Sequence, residues 1–183
     1  MGDVFNEQIV KRHGNFSDTL KRAGIAGLVF VIFIMSFIFL QAFAIFIGAA
    51  AVFGGIYLMS FLNVEFEYVY TNGELDIDVI YNRARRKRLF STVVKDFEIM
   101  AHVEDKQHMG AFSGAQDTIN CHSGEIGPNT YAFLATIKGK KSKVIFEPND
   151  KMLKAIGTTL SRRKLHLRPG TVLVGGANAN TFA

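Results

Sequence analysis

Residues 23–64 read AGIAGLVFVIFIMSFIFLQAFAIFIGAAAVFGGIYLMSFLNV, without one Asp, Glu, Lys, Arg or His. As a single straight helix this run would be roughly 60 Å long. A bilayer core is about 30 Å thick and is crossed by about 20 residues. Two passes therefore fit the run, over about 23–40 and 43–62. The turn is expected between Ser36 and Ala44, and Gln41, the only amide side chain there, marks it best. A helical hairpin buried in a soluble core is the other way to hide such a run, but the rest of the chain offers little that is large enough to cover it.

A hairpin returns both of its ends to one side. Lys11, Arg12, Lys21 and Arg22 precede it, and Arg83, Arg85, Arg86, Lys87 and Arg88 come after it, whereas the expected tip carries no basic residue. Positive charge stays on the cytoplasmic side of a membrane. The expected placement is a multi-pass protein of the cell membrane with both termini and the C-terminal domain in the cytoplasm. Gly24, Gly27, Gly48, Gly54 and Gly55, with the alanines at 49–51, would let the two helices approach closely. No ionisable group lies inside the run, which argues against an ion or proton pathway built by the hairpin alone.

Composition sets further bounds. The chain has 183 residues and a net charge of +5, and the segment beyond the hairpin suffices for one small domain. Beside a membrane, a basic balance points to an anionic inner leaflet. A single cysteine, Cys121, allows no internal disulfide and suits a reducing compartment. The apolar run starts too late and runs too long for a secretory signal. Within 1–22, Val4, Phe5, Ile9, Val10 and Phe16 suit a short amphipathic helix on the membrane surface, with a partly ordered tail as the alternative. Ser17 or Asp18 is the expected cap of the first spanning helix.

From Val64 the period changes to two. Val64, Phe66, Tyr68 and Tyr70 alternate with Glu65, Glu67, Val69 and Thr71, and beyond Asn72-Gly73 the residues Glu74, Asp76 and Asp78 alternate with Leu75, Ile77, Val79 and Tyr81. Alternation on both sides of Asn-Gly predicts a hairpin with a two-residue type I′ turn. Tyr70 then faces Leu75, Tyr68 faces Ile77 and Phe66 faces Val79, so one face is apolar. The other face sets Glu67 against Asp78, beside Glu65 and Asp76. Like charges across strands are destabilising. The basic run at 83–88 is the expected neutraliser, as a turn folding back or as the start of a third strand.

Further strands are expected at 89–94, 97–101, 118–122, 130–137 and 143–147, with a polar loop at 102–117. Pro148-Asn149-Asp150 should stop the sheet and cap a helix at 150–164, in which Met152, Leu153, Ile156 and Leu160 share a face. The β domain spans 63–165, and the Gly-, Ala- and Asn-rich segment 166–183 reads as a flexible tail.

Short antiparallel strands closed by a C-terminal amphipathic helix outline a pleckstrin-homology-like (PH-like) barrel. The segments FEYVYTNGELDIDVIYNRARRKRL and KDFEIMA, with two spanning helices before them, resemble an uncharacterised bacterial membrane-protein family of unknown function, two transmembrane helices followed by a PH-like cytoplasmic domain. The resemblance implies an α+β membrane protein, a transmembrane hairpin followed by a PH-like antiparallel β-barrel or sandwich. It brings no activity and no catalytic residues.

Among candidate sites, Arg83, Arg85, Arg86, Lys87 and Arg88 form the most suggestive cluster, suited to inner-leaflet phospholipid or an acidic partner, or else to balancing the neighbouring acids. Cys121 and His122, with His102 and His108, match no closed zinc spacing, and no third group orients a nucleophile and base. No phosphate-binding glycine motif is present, and one basic run without stacking aromatics is thin support for nucleic acid. The expected function is non-enzymatic, without a cofactor or metal. It is a membrane-anchored interaction module presenting its β domain to a protein or an anionic lipid; the alternative is an accessory subunit of a larger membrane complex such as a transporter.

Overall fold

The computed structural model describes residues 4–168. The apolar run forms helix α1 (Phe16–Phe39) and helix α2 (Ala44–Ser60), joined by a 3-10 turn at Gln41–Phe43. α1, and α2 taken with the turn before it (Gln41–Ser60), are long and apolar enough to cross a membrane, and only 6% and 17% of their most apolar windows are buried. That exposure is the reverse of a soluble core helix. α1 begins at Phe16, a full turn and more before the uncharged run starts, so Asp18, Lys21 and Arg22 lie in its first turns. Asn15 is the residue at its N-cap, ahead of the Ser17 or Asp18 expected there. The Asp18 carboxylate instead accepts from Asn15 N–H at 3.3 Å and pairs with Arg12 at 2.6 Å.

The hairpin packs by size complementarity. A Cβ on Gly48 would lie 2.7 Å from Phe33, and one on Gly55 would lie 2.6 Å from Val29. Glycine is therefore needed for large α1 side chains to seat against the α2 backbone. Ser36 is buried at the same seam and donates to the Phe33 and Ala44 carbonyls. Gly24, Gly27 and Gly54 meet nothing within 4 Å, so they do not serve the helix–helix contact expected of them.

The N-terminal segment corrects the sequence reading most sharply. It is neither an amphipathic helix nor a tail but strand β1 (Phe5–Lys11), antiparallel to β2 (Val64–Thr71) with Val10 opposite Phe66. Phe5 and Ile9 are exposed while Asn6, Gln8 and Val10 turn inward, so its apolar residues alone choose neither a strand nor a helix. A sheet edge waiting at β2 decides between them. The hairpin is thus inserted between two neighbouring strands of one sheet. β3 (Glu74–Tyr81) and β4 (Arg85–Val93) complete that sheet in the order β1-β2-β3-β4. Asn72 and Gly73 take positive φ, and Tyr70 opposes Leu75, as the Asn-Gly turn requires.

The second sheet has the order β6-β8-β7-β5-β9, from β5 (Ile99–His102), β6 (Asp117–Asn120), β7 (Tyr131–Ile137), β8 (Lys140–Phe146) and β9 (Leu165–His166). Helix α3 (Asp150–Thr159) starts on Asn149, whose side chain accepts from Met152 N–H at 2.9 Å. The core lies between the sheets, where Tyr68, Ile77, Phe90, Phe133 and Phe146 meet Met152 and Ile156 of α3. Phe97 stacks on Phe133 at 4.0 Å.

Several expectations need correction here. No barrel is closed: among the described residues the sheets share no strand pairing, and a 3-10 turn at Val94–Asp96 separates β4 from β5 along the chain. The strand expected at 89–94 is continuous with the basic run. α3 ends at Thr159 rather than 164, which frees Leu165–His166 to pair in parallel with β5. The loop at 102–117 holds a 3-10 turn, Met109–Gly114, and its Phe112 fills a small second core with Ala101, Ala132 and Leu134. Most of the expected tail lies outside the described residues.

Candidate functional site

Arg85, Arg86, Lys87 and Arg88 are residues of a strand, and a strand sends successive side chains to opposite faces. The β3–β4 turn places Asn82 and Arg83 at positive φ, with Ala84 N–H donating to Tyr81 O at 3.0 Å. β4 then sets Arg85 opposite Tyr81, Arg86 opposite Ile80, Lys87 opposite Val79 and Arg88 opposite Asp78. The register shifts between Ile77 and Asp78, so that Phe90 opposes Ile77. Such a bulge adds one residue to a strand and reverses the faces beyond it. Even-numbered residues can therefore be charged and outward at 86 and 88, yet inward and buried at 90 and 92.

Alternation divides the basic cluster in two. On the outer face of the first sheet, Arg83 pairs with Glu65 at 3.1 Å and Arg86 with Glu67 at 2.6 Å. Arg88 reaches Asp76 at 2.9 Å and Asp78 at 3.4 Å. These three residues neutralise Glu65, Glu67, Asp76 and Asp78. Glu67 is buried to 1% exposure, and among the described residues its Oε2 has no hydrogen-bond partner. Burial pushes its carboxyl above the usual range. The Arg86 guanidinium pulls it back, Glu7 and Asp78 add to the push, and the net shift is upward.

Arg85 and Lys87 take the other side. Neither makes an ion pair among the described residues. The Arg85 guanidinium lies 5.7 Å from the Tyr57 ring centroid and 5.9 Å from that of Phe61, at the C-terminal end of α2. The surrounding junction is closely tied. Phe61 meets Tyr81 at 6.1 Å, Arg22 donates to Asn63 Oδ1 at 3.0 Å, and Asn63 donates to Asn82 Oδ1 at 3.3 Å. On the far side, Arg12 N–H donates to Val64 O at 3.0 Å and His13 N–H to Ser123 O at 2.6 Å. The base of the hairpin and one end of the β domain form one bonded surface with a basic rim.

The remaining titratable candidates are scattered. Cys121 is buried, its thiol pushed up to about 12 by desolvation, and its carbonyl accepts from Tyr68 Oη. His102 Nδ1 accepts from Glu104 N–H, and its other nitrogen lies 3.2 Å from Gly127 O. His108 stacks on His166 at 3.5 Å and bonds Asp105 at 2.7 Å, a contact between distant segments that no local pattern announced. Burial first, then the neighbouring His108, lower the His166 pKa. Among the described residues, no group of three or more His, Cys, Asp or Glu could hold a metal ion.

Two facing sheets with a C-terminal helix packed into the core between them, carried on an apolar helical hairpin, define an α+β PH-like module. The chain belongs to the bacterial PH-like domain family (DUF6106), a family of unknown function whose model matches residues 2–166. The match takes in β1 and the hairpin as well as the strands beyond them. Neither the curated proteins nor the solved structures give a match to this chain.

Proposed function

We propose that the protein is a non-enzymatic module anchored in the cell membrane by α1 and α2, which holds a PH-like domain against the cytoplasmic leaflet. One observation carries the reading. The hairpin leaves the sheet after β1 and re-enters it at β2 through short links, so the domain is held to the helices at two adjacent points. A single flexible linker would let a domain wander; two short links and a bonded junction favour one fixed face toward the lipid. The basic residues at both ends of the hairpin and the uncharged turn at Gln41–Phe43 favour cytoplasmic termini. Arg83, Arg85, Arg86, Lys87 and Arg88 lie near this junction and remain the candidates for contact with an anionic lipid or a membrane partner.

Labelling of single introduced cysteines tests the reading, since Cys121 is buried. A cysteine at exposed Ser113 should resist an impermeant maleimide in intact cells and react after lysis, whereas one at Ala42 should react in intact cells. The opposite pattern defeats the topology.

The second reading, an accessory subunit of a larger membrane complex, is favoured by Gly24, Gly27 and Gly54. They face open space on the hairpin and leave room for another helix. A partner that co-purifies in mild detergent and is lost on Gly27→Leu would favour it.

A further inference from the structure

We infer that Arg85 and Lys87 bind the phosphate of an anionic phospholipid headgroup, while Arg83, Arg86 and Arg88 serve the fold. The inference rests on the membrane reading above and narrows it to two of the five clustered cations.

Three observations converge on this pair. First, the acids that occupy Arg83, Arg86 and Arg88 all lie on the outer face, so none answers Arg85 or Lys87. Residues two apart on a strand lie about 7 Å from each other on one face. Two like charges held at that spacing, both exposed and without an ion-pair partner among the described residues, suit an anion placed between them. Second, the depth is set by α2. Tyr57 and Phe61 stand at its C-terminal end, where a spanning helix meets the headgroups and aromatic rings concentrate. Arg85 lies over both rings, which locates its charge at the headgroup level. Third, a guanidinium over aromatic rings still has N–H groups along its edge, a geometry suited to two parallel bonds to phosphate oxygens. Arg22, bonded to Asn63 beside the same turn, adds positive charge at this level. A zwitterionic headgroup would bring its own cation against these residues. An anionic one would not.

The test uses the full chain in mixed micelles of phosphatidylglycerol and phosphatidylcholine, with retained lipids counted by native mass spectrometry. Each cation near an anionic surface contributes enough to predict a preference for phosphatidylglycerol of about tenfold or more from the pair. Arg85→Gln with Lys87→Gln should bring the two lipids near parity at an unchanged melting temperature, and Lys87→Gln alone should lower the preference about fivefold. Arg83→Gln, which removes another exposed cation from the same cluster, should leave the preference intact. A double variant as selective as the parent overturns the assignment, and so does an Arg83→Gln variant that loses as much. Carbonate extraction of native membranes separates this failure from a deeper one. A chain that washes off brings down the membrane reading and the lipid site together, whereas one that stays embedded while the double variant keeps its selectivity brings down the lipid site alone.

Discussion

The hairpin and the β domain use the same residue types in opposite ways. In α1 and α2, with the turn between them, Phe39, Phe43, Phe46 and Phe53 each expose more than half of their surface, while in the β domain Phe90, Phe97, Phe133 and Phe146 are all buried. Each arrangement leaves one kind of group to be explained. In the helices it is the glycines, since the large α1 side chains that turn inward, Val29 and Phe33, need Gly55 and Gly48 opposite them at the seam. In the β domain it is charge, since an apolar inner face pushes Glu67, Asp76 and Asp78 to the outer face, where arginines must meet them. A phenylalanine therefore stabilises the β domain by burial and serves the hairpin by its exposure. Substitutions that exchange the two logics are the way to break the contrast.

The largest effect is expected in the β core. Phe133→Ala removes a fully buried ring and should cost about 3–5 kcal/mol, whereas Phe46→Ala, on a ring 75% exposed, should leave β-domain melting unchanged. Near-UV circular dichroism of the tyrosines tracks both, since the chain has no tryptophan. Next comes Arg86→Ala, which strands the buried Glu67 carboxylate and should cost about 1–3 kcal/mol. Linkage sets the sign with pH. The folded Glu67 holds its proton to a higher pH than the unfolded chain does, so stability falls as pH rises from the ordinary carboxylate value through the folded one. Loss of Arg86 should steepen that fall, and Glu67→Gln should abolish it.

Gly55→Leu probes the helices alone. It should push spin labels at Lys21 and Ser60 apart by a few Å and leave the β-domain melting transition in place. A smaller effect is expected at His166. Its folded pKa lies below the ordinary 6.5, so its contribution to stability is complete above that value and is lost as pH falls through the folded one. His166→Phe keeps a ring against His108 and should flatten this acid-side loss in melts at stepped pH. The smallest is Arg83→Gly. Relief of a positive φ, worth about 1 kcal/mol, opposes loss of an exposed ion pair of similar size, so the melting temperature should barely move.

The legible part of the fold was local. Asn72-Gly73 fixed the β2–β3 register and so the Glu67–Asp78 opposition, and Asn149 marked the start of α3. The long uncharged run announced two helices. β1 was illegible because its partner lies beyond the hairpin, and nothing within 5–11 distinguishes an exposed strand from an amphipathic turn. The basic cluster was visible as composition, and its service to the acids was foreseen as one of two roles. Its division was hidden, because which arginine meets an acid depends on strand parity, and parity reverses at the bulge opposite Ile77–Asp78. The His108–His166 stack depends on β9 reaching β5, a contact between segments far apart in the chain.

The insertion of the hairpin between β1 and β2 also bears on the order of assembly. Val4 and Asn72 bond to each other from 68 residues apart, so the first strand made must wait through synthesis of both helices before its neighbour exists. Until the second helix has turned back, the first sheet lacks an edge strand, and the outward side of β2 is open to wrong pairing. Completion of the first sheet thus reports on correct placement of the helical hairpin. A chain whose hairpin stalls would display an unfinished sheet that proteases could recognise.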